Sequence, residues 1–155
     1  MQNFNNIILF GGETKNENMP VGFYSSLALL PLRGKPLIWW QLNNLKEQGL
    51  DNFIVVVCKE NNKLIKYIKN ILFETFNITL VTINRNKNIL SSLKYGLMKA
   101  NLNIPTRVIL GDTFLNKSIS EEDYYIIVSN KNGKYKYTLK QLSNDKENYE
   151  ECINE

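Results

Sequence analysis

Six consecutive residues, Phe53-Ile54-Val55-Val56-Val57-Cys58, are apolar, and four of them are β-branched. A run of this kind offers no polar face to water. It predicts a strand covered on both sides, as in the centre of a parallel sheet flanked by helices. Three further strand candidates, Ile7–Phe10, Ile78–Ile83 and Arg107–Leu110, are separated by helical patterns. Pro36–Gln48 opens with proline at the first helical position, spaces Ile38, Leu42 and Leu45 along one face, and is followed by Gly49. Asn61–Phe73 places Leu64, Ile65, Ile68, Ile71 and Leu72 on one stripe. Ser91–Ala100 is the third helix. Strands alternating with helices in this order predict a layered α/β fold with a mostly parallel sheet, in which Phe53–Cys58 lies beside Ile7–Phe10.

The pattern changes after Asp112. Tyr124–Val128 and Lys134–Lys140 read as the strands of a C-terminal β-hairpin, with turn chemistry at Asn130–Gly133 between them. The expected domain is therefore 1–142. The remainder, 143–155, is an acidic tail with little apolar periodicity, expected to be flexible. It holds five carboxylates against one lysine, a net −4, so the preceding body carries +8 within a chain total of +4. A basic body suits a phosphate-bearing ligand, although most lysines at such spacings are solvated helix-face residues.

The 155 residues include no histidine. This excludes Ser-His and Cys-His dyads and the usual histidine-rich zinc sites. Chemistry must come from carboxylates with a hard cation, from Lys or Arg, or from backbone dipoles. Cys58 and Cys152 are far apart and predict neither a disulfide scaffold nor a cysteine-ligated metal. The longest apolar runs fall well short of a membrane span, and Met1–Asn6 has no secretory pattern, so a cytoplasmic protein is expected. The lysines lack the aromatic interleaving of a nucleic-acid module, so nucleic acid is not an expected partner.

Ligands of layered α/β folds bind at the carboxyl ends of strands. Three features fall there. Gly11-Gly12 follows the first strand and either makes a turn or lets backbone approach a phosphate. Gly111-Asp112 follows the last parallel strand, and Asp112 either caps a turn or holds Mg²⁺ with phosphate oxygens. Ser91-Ser92 lies at the start of the third helix, as caps or as nucleotide contacts.

These features occur together in a family. Ser26-Leu-Ala-Leu-Leu-Pro-Leu-Arg-Gly-Lys-Pro-Leu-Ile38 resembles the Pro-Lys-x-Leu-Leu-Pro-x-x-Gly-Lys-Pro-Leu-Ile segment of the nucleotidyltransferases of the sugar-phosphate and phosphocholine type. Ile8–Gly12 resembles the family's first strand and Gly-Gly loop, Ile109–Thr113 its Gly-Asp strand end, and Tyr124–Val128 with Asn132-Gly133 its later hairpin. Asn88–Leu93 with Gly96-Leu97 is similar to segments of cytidylyl-transferring members, which points to CTP. The resemblance covers residues 7–140 and implies a three-layer α/β/α, Rossmann-like (GT-A-like) fold. The implied partners are a nucleoside triphosphate and a phosphorylated small-molecule acceptor, with Mg²⁺ as cofactor. Gly11, Gly12 and Ser92 would contact the nucleotide and Asp112 the metal. The acceptor phosphate would attack the α-phosphorus and release pyrophosphate, with Mg²⁺ and cationic side chains offsetting the charge.

The departures from the pattern fall on the charges. Where the family reads x-Gly-Thr-Arg after Gly-Gly, this chain has Glu13, Thr14, Lys15 and Asn16; where it reads Pro-Lys, this chain has Ser26-Leu27. Loss of one transition-state donor typically costs about 10²–10³ in rate. Asp123 precedes a strand and reads as a boundary residue rather than a second metal ligand. The expectation is a degenerate domain with weak or no turnover. The alternative is an active enzyme of cell-surface polysaccharide or nucleotide-sugar synthesis, in which Lys15 and Lys35, or Arg33, replace the missing cations. Trp39 and Trp40 cannot both face the core. One is expected beside Ile38 and Leu42, and the other is either a rim contact or an anchor for a second copy or a protein partner.

Overall fold

A computed structural model describes residues 4–10, 26–84, 89–101, 103–111, 125–127 and 139–141, the last two segments as backbone only. The chain divides into two compact units, residues 1–118 and 119–155. In the first, four parallel strands form one sheet: β1 (Asn5–Phe10), β4 (Asn52–Cys58), β5 (Asn77–Ile83) and β6 (Thr106–Leu110). Their order across the sheet is β5-β4-β1-β6, with Leu9 opposite both Val56 and Leu110. Phe53–Cys58 is thus an inner strand beside Ile7–Phe10, as its composition requires.

Helices cover both faces. Strand alternation turns Ile7, Leu9, Ile54, Val56, Val81 and Ile83 to one side, where Leu93 and Ala100 pack on them. Leu93 belongs to α4 (Ile89–Leu97). A Cβ on Gly96 would lie 2.8 Å from Ile7 Cγ2 and 3.2 Å from Val56 Cγ2, so this glycine lets α4 approach the sheet closely. Alternation turns Ile8, Phe10, Phe53, Val55, Val57 and Ile109 to the other side. There α1 (Leu37–Glu47) buries Ile38, Leu42 and Leu45, and the following helical segment buries Leu64, Ile68 and Leu72. Phe76 closes this layer, edge-on to Phe53 and Trp39. The fold is three-layered α/β/α.

Several local expectations are corrected. Pro36 is the N-cap of α1, not its first helical residue, because it already pairs as a strand. The predicted helix Asn61–Phe73 is three pieces: α2 (Asn62–Tyr67), a π turn (Ile68–Leu72) and α3 (Phe73–Thr75). An α-helix drifts as it advances by fours, and the wider turn brings Leu72 back into line with Leu64 and Ile68. Ile71 is consequently exposed instead of on the stripe. The third helix begins at Ile89, two residues before the predicted Ser91, and ends at Leu97. Neither tryptophan enters the core: both are half-buried, and Gln41 occupies the inward position, 2% exposed.

A small ribbon was not anticipated. β2 (Pro31–Leu32) and β3 (Lys35–Pro36) pair antiparallel around Arg33 and Gly34, whose φ values are +46° and +80°. Two positive φ angles are the signature of the two-residue hairpin turn, so Arg33-Gly34 between two prolines was the available signal. In the second unit, β7 (Tyr125–Ile127) pairs antiparallel with β8 (Leu139–Gln141). This agrees with the expected hairpin at Tyr124–Val128 and at the end of Lys134–Lys140; residues 128–138 and the boundary at 142 lie outside the described residues. Among the described residues no helix is long and apolar enough to cross a membrane.

Candidate functional site

The chain runs from β1 through α1 to β4 and then through α2 to β5, stepping each time to the same side. From β5 it returns through α4 to β6 on the opposite side of β1. The strand order therefore reverses between β1 and β6. In open α/β sheets the crevice at the carboxyl ends of such a strand pair is the ligand site. Gly11 follows the last residue of β1 directly, and Asp112 follows Gly111 directly after β6. Two of the features singled out in the sequence are thus attached to adjacent strands at one end of the sheet. Gly11, Gly12, Lys15 and Asp112 themselves lie outside the described residues.

The attachment points are tightly built. Gly111 N–H donates to Leu9 O at 2.9 Å, carrying the β1–β6 ladder one residue past the strand. Gly111 is buried against the Phe10 ring: a Cβ there would fall 2.5 Å from Phe10 Cε1 and 2.8 Å from Leu9 O. From α1, Gln41 Nε2 donates to Leu110 O at 2.8 Å. Sequence reasoning gave Gln41 no role. Its signal was an amide at the helical spacing of an otherwise apolar face.

Ser92, predicted at the nucleotide, is the fourth residue of α4 and 4% exposed. It shares the sheet-facing stripe with Gly96, near the helix end that adjoins the carboxyl edge. Ser26 caps the short 3₁₀ turn Leu27–Leu29, its Oγ accepting from Ala28 N–H at 3.3 Å. The family's lysine position, Leu27, opens that turn as a half-buried apolar residue. Lys35 is exposed, and its Nζ sits 4.3 Å from the Trp39 ring centroid. Trp39 stands edge-on to Trp40, with ring centroids 4.9 Å apart, and Trp40 Nε1 donates to Leu32 O at 2.6 Å. The β2–β3 ribbon is therefore fastened to the start of α1 by both tryptophans.

At the end of β4, Cys58 Sγ donates to Glu60 Oε2 at 2.6 Å. Burial, and then the bond to Glu60, hold this thiol above its ordinary pKa. It is therefore a protonated, poorly nucleophilic group at neutral pH. Among the described residues no group of three or more Cys, Asp or Glu side chains could hold a metal. The expected metal ligand, Asp112, follows β6 in sequence and lies outside the described residues; one or two carboxylates together with substrate phosphates and water are the donors that Mg²⁺ takes.

No family model and no curated protein matches the sequence. Solved structures do match the fold. CTP:phosphocholine cytidylyltransferase from Streptococcus pneumoniae is 26% identical over 76% of this chain and 48% of its own, with a TM-score of 0.53. HddC from Yersinia pseudotuberculosis is 18% identical over 72% and 48%, with a TM-score of 0.58, and is also known complexed with GMP-PN. A nucleotidyl transferase from Methanothermobacter thermautotrophicus is 19% identical over 70% and 50%, with a TM-score of 0.55. The chain spans about half the length of each of these proteins.

Proposed function

Proceeding from the nucleotidyltransferase fold that this chain has, we propose that it binds a nucleoside triphosphate, CTP above others, in the β1–β6 crevice and turns it over slowly or not at all. The observation that carries the reading is the β1–β6 junction. Leu9, Phe10, Leu110 and Gly111 interlock, so the Gly11-Gly12 segment and Asp112 depart from neighbouring points. The glycines would let backbone N–H groups face the phosphates, and Asp112 would hold Mg²⁺, which when bound neutralises phosphate charge. The buried Ser92, on the helix that begins at the same edge, would lie on the base side. The phosphorylated acceptor would be a sugar phosphate or an alcohol phosphate such as phosphocholine.

The weak-turnover half of the proposal rests on charge. Leu27 and Asn16 stand where the family's cations do, and Glu13 adds an anion. Lys35, offered as a substitute cation, rests on the Trp39 ring instead. Developing phosphoryl charge in a partly dry site is costly without cations. The test is a coupled pyrophosphate assay with the four NTPs and a panel of sugar phosphates and phosphocholine, run beside calorimetric NTP titrations with and without Mg²⁺. The expected result is Mg²⁺-dependent binding, tightest for CTP, with little pyrophosphate. Turnover of about 1 s⁻¹ or faster that Asp112→Ala abolishes would establish the active reading instead, with Lys15 as the first candidate cation.

A further inference from the structure

Among the described residues the parallel sheet has two edges, β5 and β6, and they are built differently. An open edge pairs with any extended chain that reaches it, so proteins blunt their edges with charge, proline, short length or a covering group. β6 is blunted. It has five residues, follows Pro105, carries Arg107, and its Leu110 O is taken by Gln41 Nε2 at 2.8 Å. β5 has none of these devices. Its seven residues, Asn77–Ile83, include no charge and no proline, and its register with β4 runs unbroken from Asn77 to Ile83. Alternate residues of a parallel strand send both backbone groups to the same side. Ile83 O accepts from Lys59 N–H at 2.8 Å, so Thr79, Val81 and Ile83 bond inward to β4, and Ile78, Leu80 and Thr82 turn N–H and C=O to the outer edge. The side chains of these three lie on the α2–α3 side, because Val81 and Ile83 pack on the α4 side. There α3 lies against β5, and its Phe73 is 45% exposed. The outer edge of β5 thus offers a row of backbone donors and acceptors beside an apolar shoulder.

We propose that this edge is where two copies of the chain associate, β5 pairing antiparallel with β5 of the second copy about a two-fold axis at Leu80. The axis sets Leu80 opposite itself and Ile78 opposite Thr82, and each pair exchanges two backbone bonds. Charge argues for a second copy as the occupant. Identical residues meet across a two-fold, so a surface that docks on itself must carry no charge at the axis. The body of the chain carries +8, yet Asn77–Ile83 carries nothing. The area sets the strength. One strand pair with the Phe73 and Leu80 shoulders buries less than about 1,200 Å², the range of transient complexes, so the dimer belongs to micromolar concentrations rather than to an obligate assembly.

The experiment is sedimentation equilibrium of the full chain from about 1 to about 300 µM, for the wild type, Leu80→Lys, Leu80→Glu, an equimolar mixture of these two, and Val108→Lys on the β6 edge. Far-UV circular dichroism and cooperative unfolding check the fold of each. The wild type should dimerise. Each Leu80 variant alone places like charges face to face and should weaken association by at least about 10-fold. Their mixture should restore the dimer, because lysine then meets glutamate, and Val108→Lys should leave it unchanged. Should neither Leu80 variant fold, Thr82→Pro decides: it removes an outward N–H without touching the ladder to β4, and it should weaken the dimer while the fold is kept. A wild type that stays monomeric throughout, a dimer that survives either charge at Leu80, a mixture that stays monomeric, loss of the dimer in Val108→Lys, or a Thr82→Pro chain that associates as the wild type does would each overturn the proposal.

Discussion

Gly111→Ala puts a methyl group where the structure has none to spare. The added carbon would sit 2.5 Å from Phe10 Cε1 and 2.8 Å from Leu9 O. Carbon contacts are at rest at about 3.5–4.0 Å, so something must move by about 1 Å. The ring cannot swing freely, because Phe10 is 7% exposed between the sheet and the α1 layer. Leu9 O is backbone and already bonded to Gly111 N–H. Overpacking of this kind costs about 1–3 kcal/mol. If β6 shifts instead, the Gly111–Leu9 bond adds about 0.5–1.5 kcal/mol. We expect a loss of about 2–4 kcal/mol in all, read from the urea midpoint followed by far-UV circular dichroism at unchanged m-value. The double variant Phe10→Leu/Gly111→Ala locates the clash: relieving the ring should recover at least about 1 kcal/mol relative to additivity. A single variant within about 0.5 kcal/mol of the wild type, the range of ordinary surface changes, would refute the tight β1–β6 junction and remove the main support for the crevice.

Gly96→Ala is expected to destabilise despite alanine's better helix propensity, by about 1–2 kcal/mol, since the Ile7 and Val56 methyls it meets are fully buried; denaturant melts check this, and a stabilised variant would contradict the close helix–sheet approach. In a Cys152→Ser background, iodoacetamide at about pH 8 should alkylate Cys58 more slowly than free cysteine, and Glu60→Gln should speed the reaction by removing the carboxylate charge that disfavours the thiolate. The same upward shift means that Cys58 favours the fold fully below the 9.0 of an unperturbed thiol, and that this contribution is lost as pH rises through the folded value; an urea midpoint that climbs there through Cys58, judged against Cys58→Ser, would contradict it. Trp40→Phe removes the donor to Leu32 O and should raise hydrogen exchange at the Leu37 amide, which bonds Leu30 O at 2.9 Å, while leaving Val55 protected.

The sheet was legible because burial there is two-sided. Phe53–Cys58 reads as an inner strand because neither of its faces is polar, and Val55, Val56 and Val57 are fully buried. Helix ends were less legible, since they depend on partners distant in sequence. Pro36 looks the same as a first helical residue or as a cap until β2 pairs with it. Trp39 and Trp40 outrank glutamine on any hydropathy scale, yet Gln41 took the inward position because the Leu110 carbonyl lies within its reach. At the site, the strand-end placement of Gly111 followed from the sequence order. The grip on its peptide did not, because Leu9, Phe10 and Gln41 meet it only through the register of β1 and the rotation of α1.

The fastening of the β2–β3 ribbon has a spectroscopic consequence. The chain contains two tryptophans, and both stand at that one corner, with rings 4.9 Å apart and nearly perpendicular. Emission excited at the indole band therefore surveys the ribbon and the first turn of α1, and meets the core only through Phe76. The close perpendicular pair should also give a coupled near-ultraviolet dichroism band. A fluorescence change that precedes the far-ultraviolet transition would then report release of the ribbon, with Lys35 freed from its ring, while β1, β4, β5 and β6 are still paired.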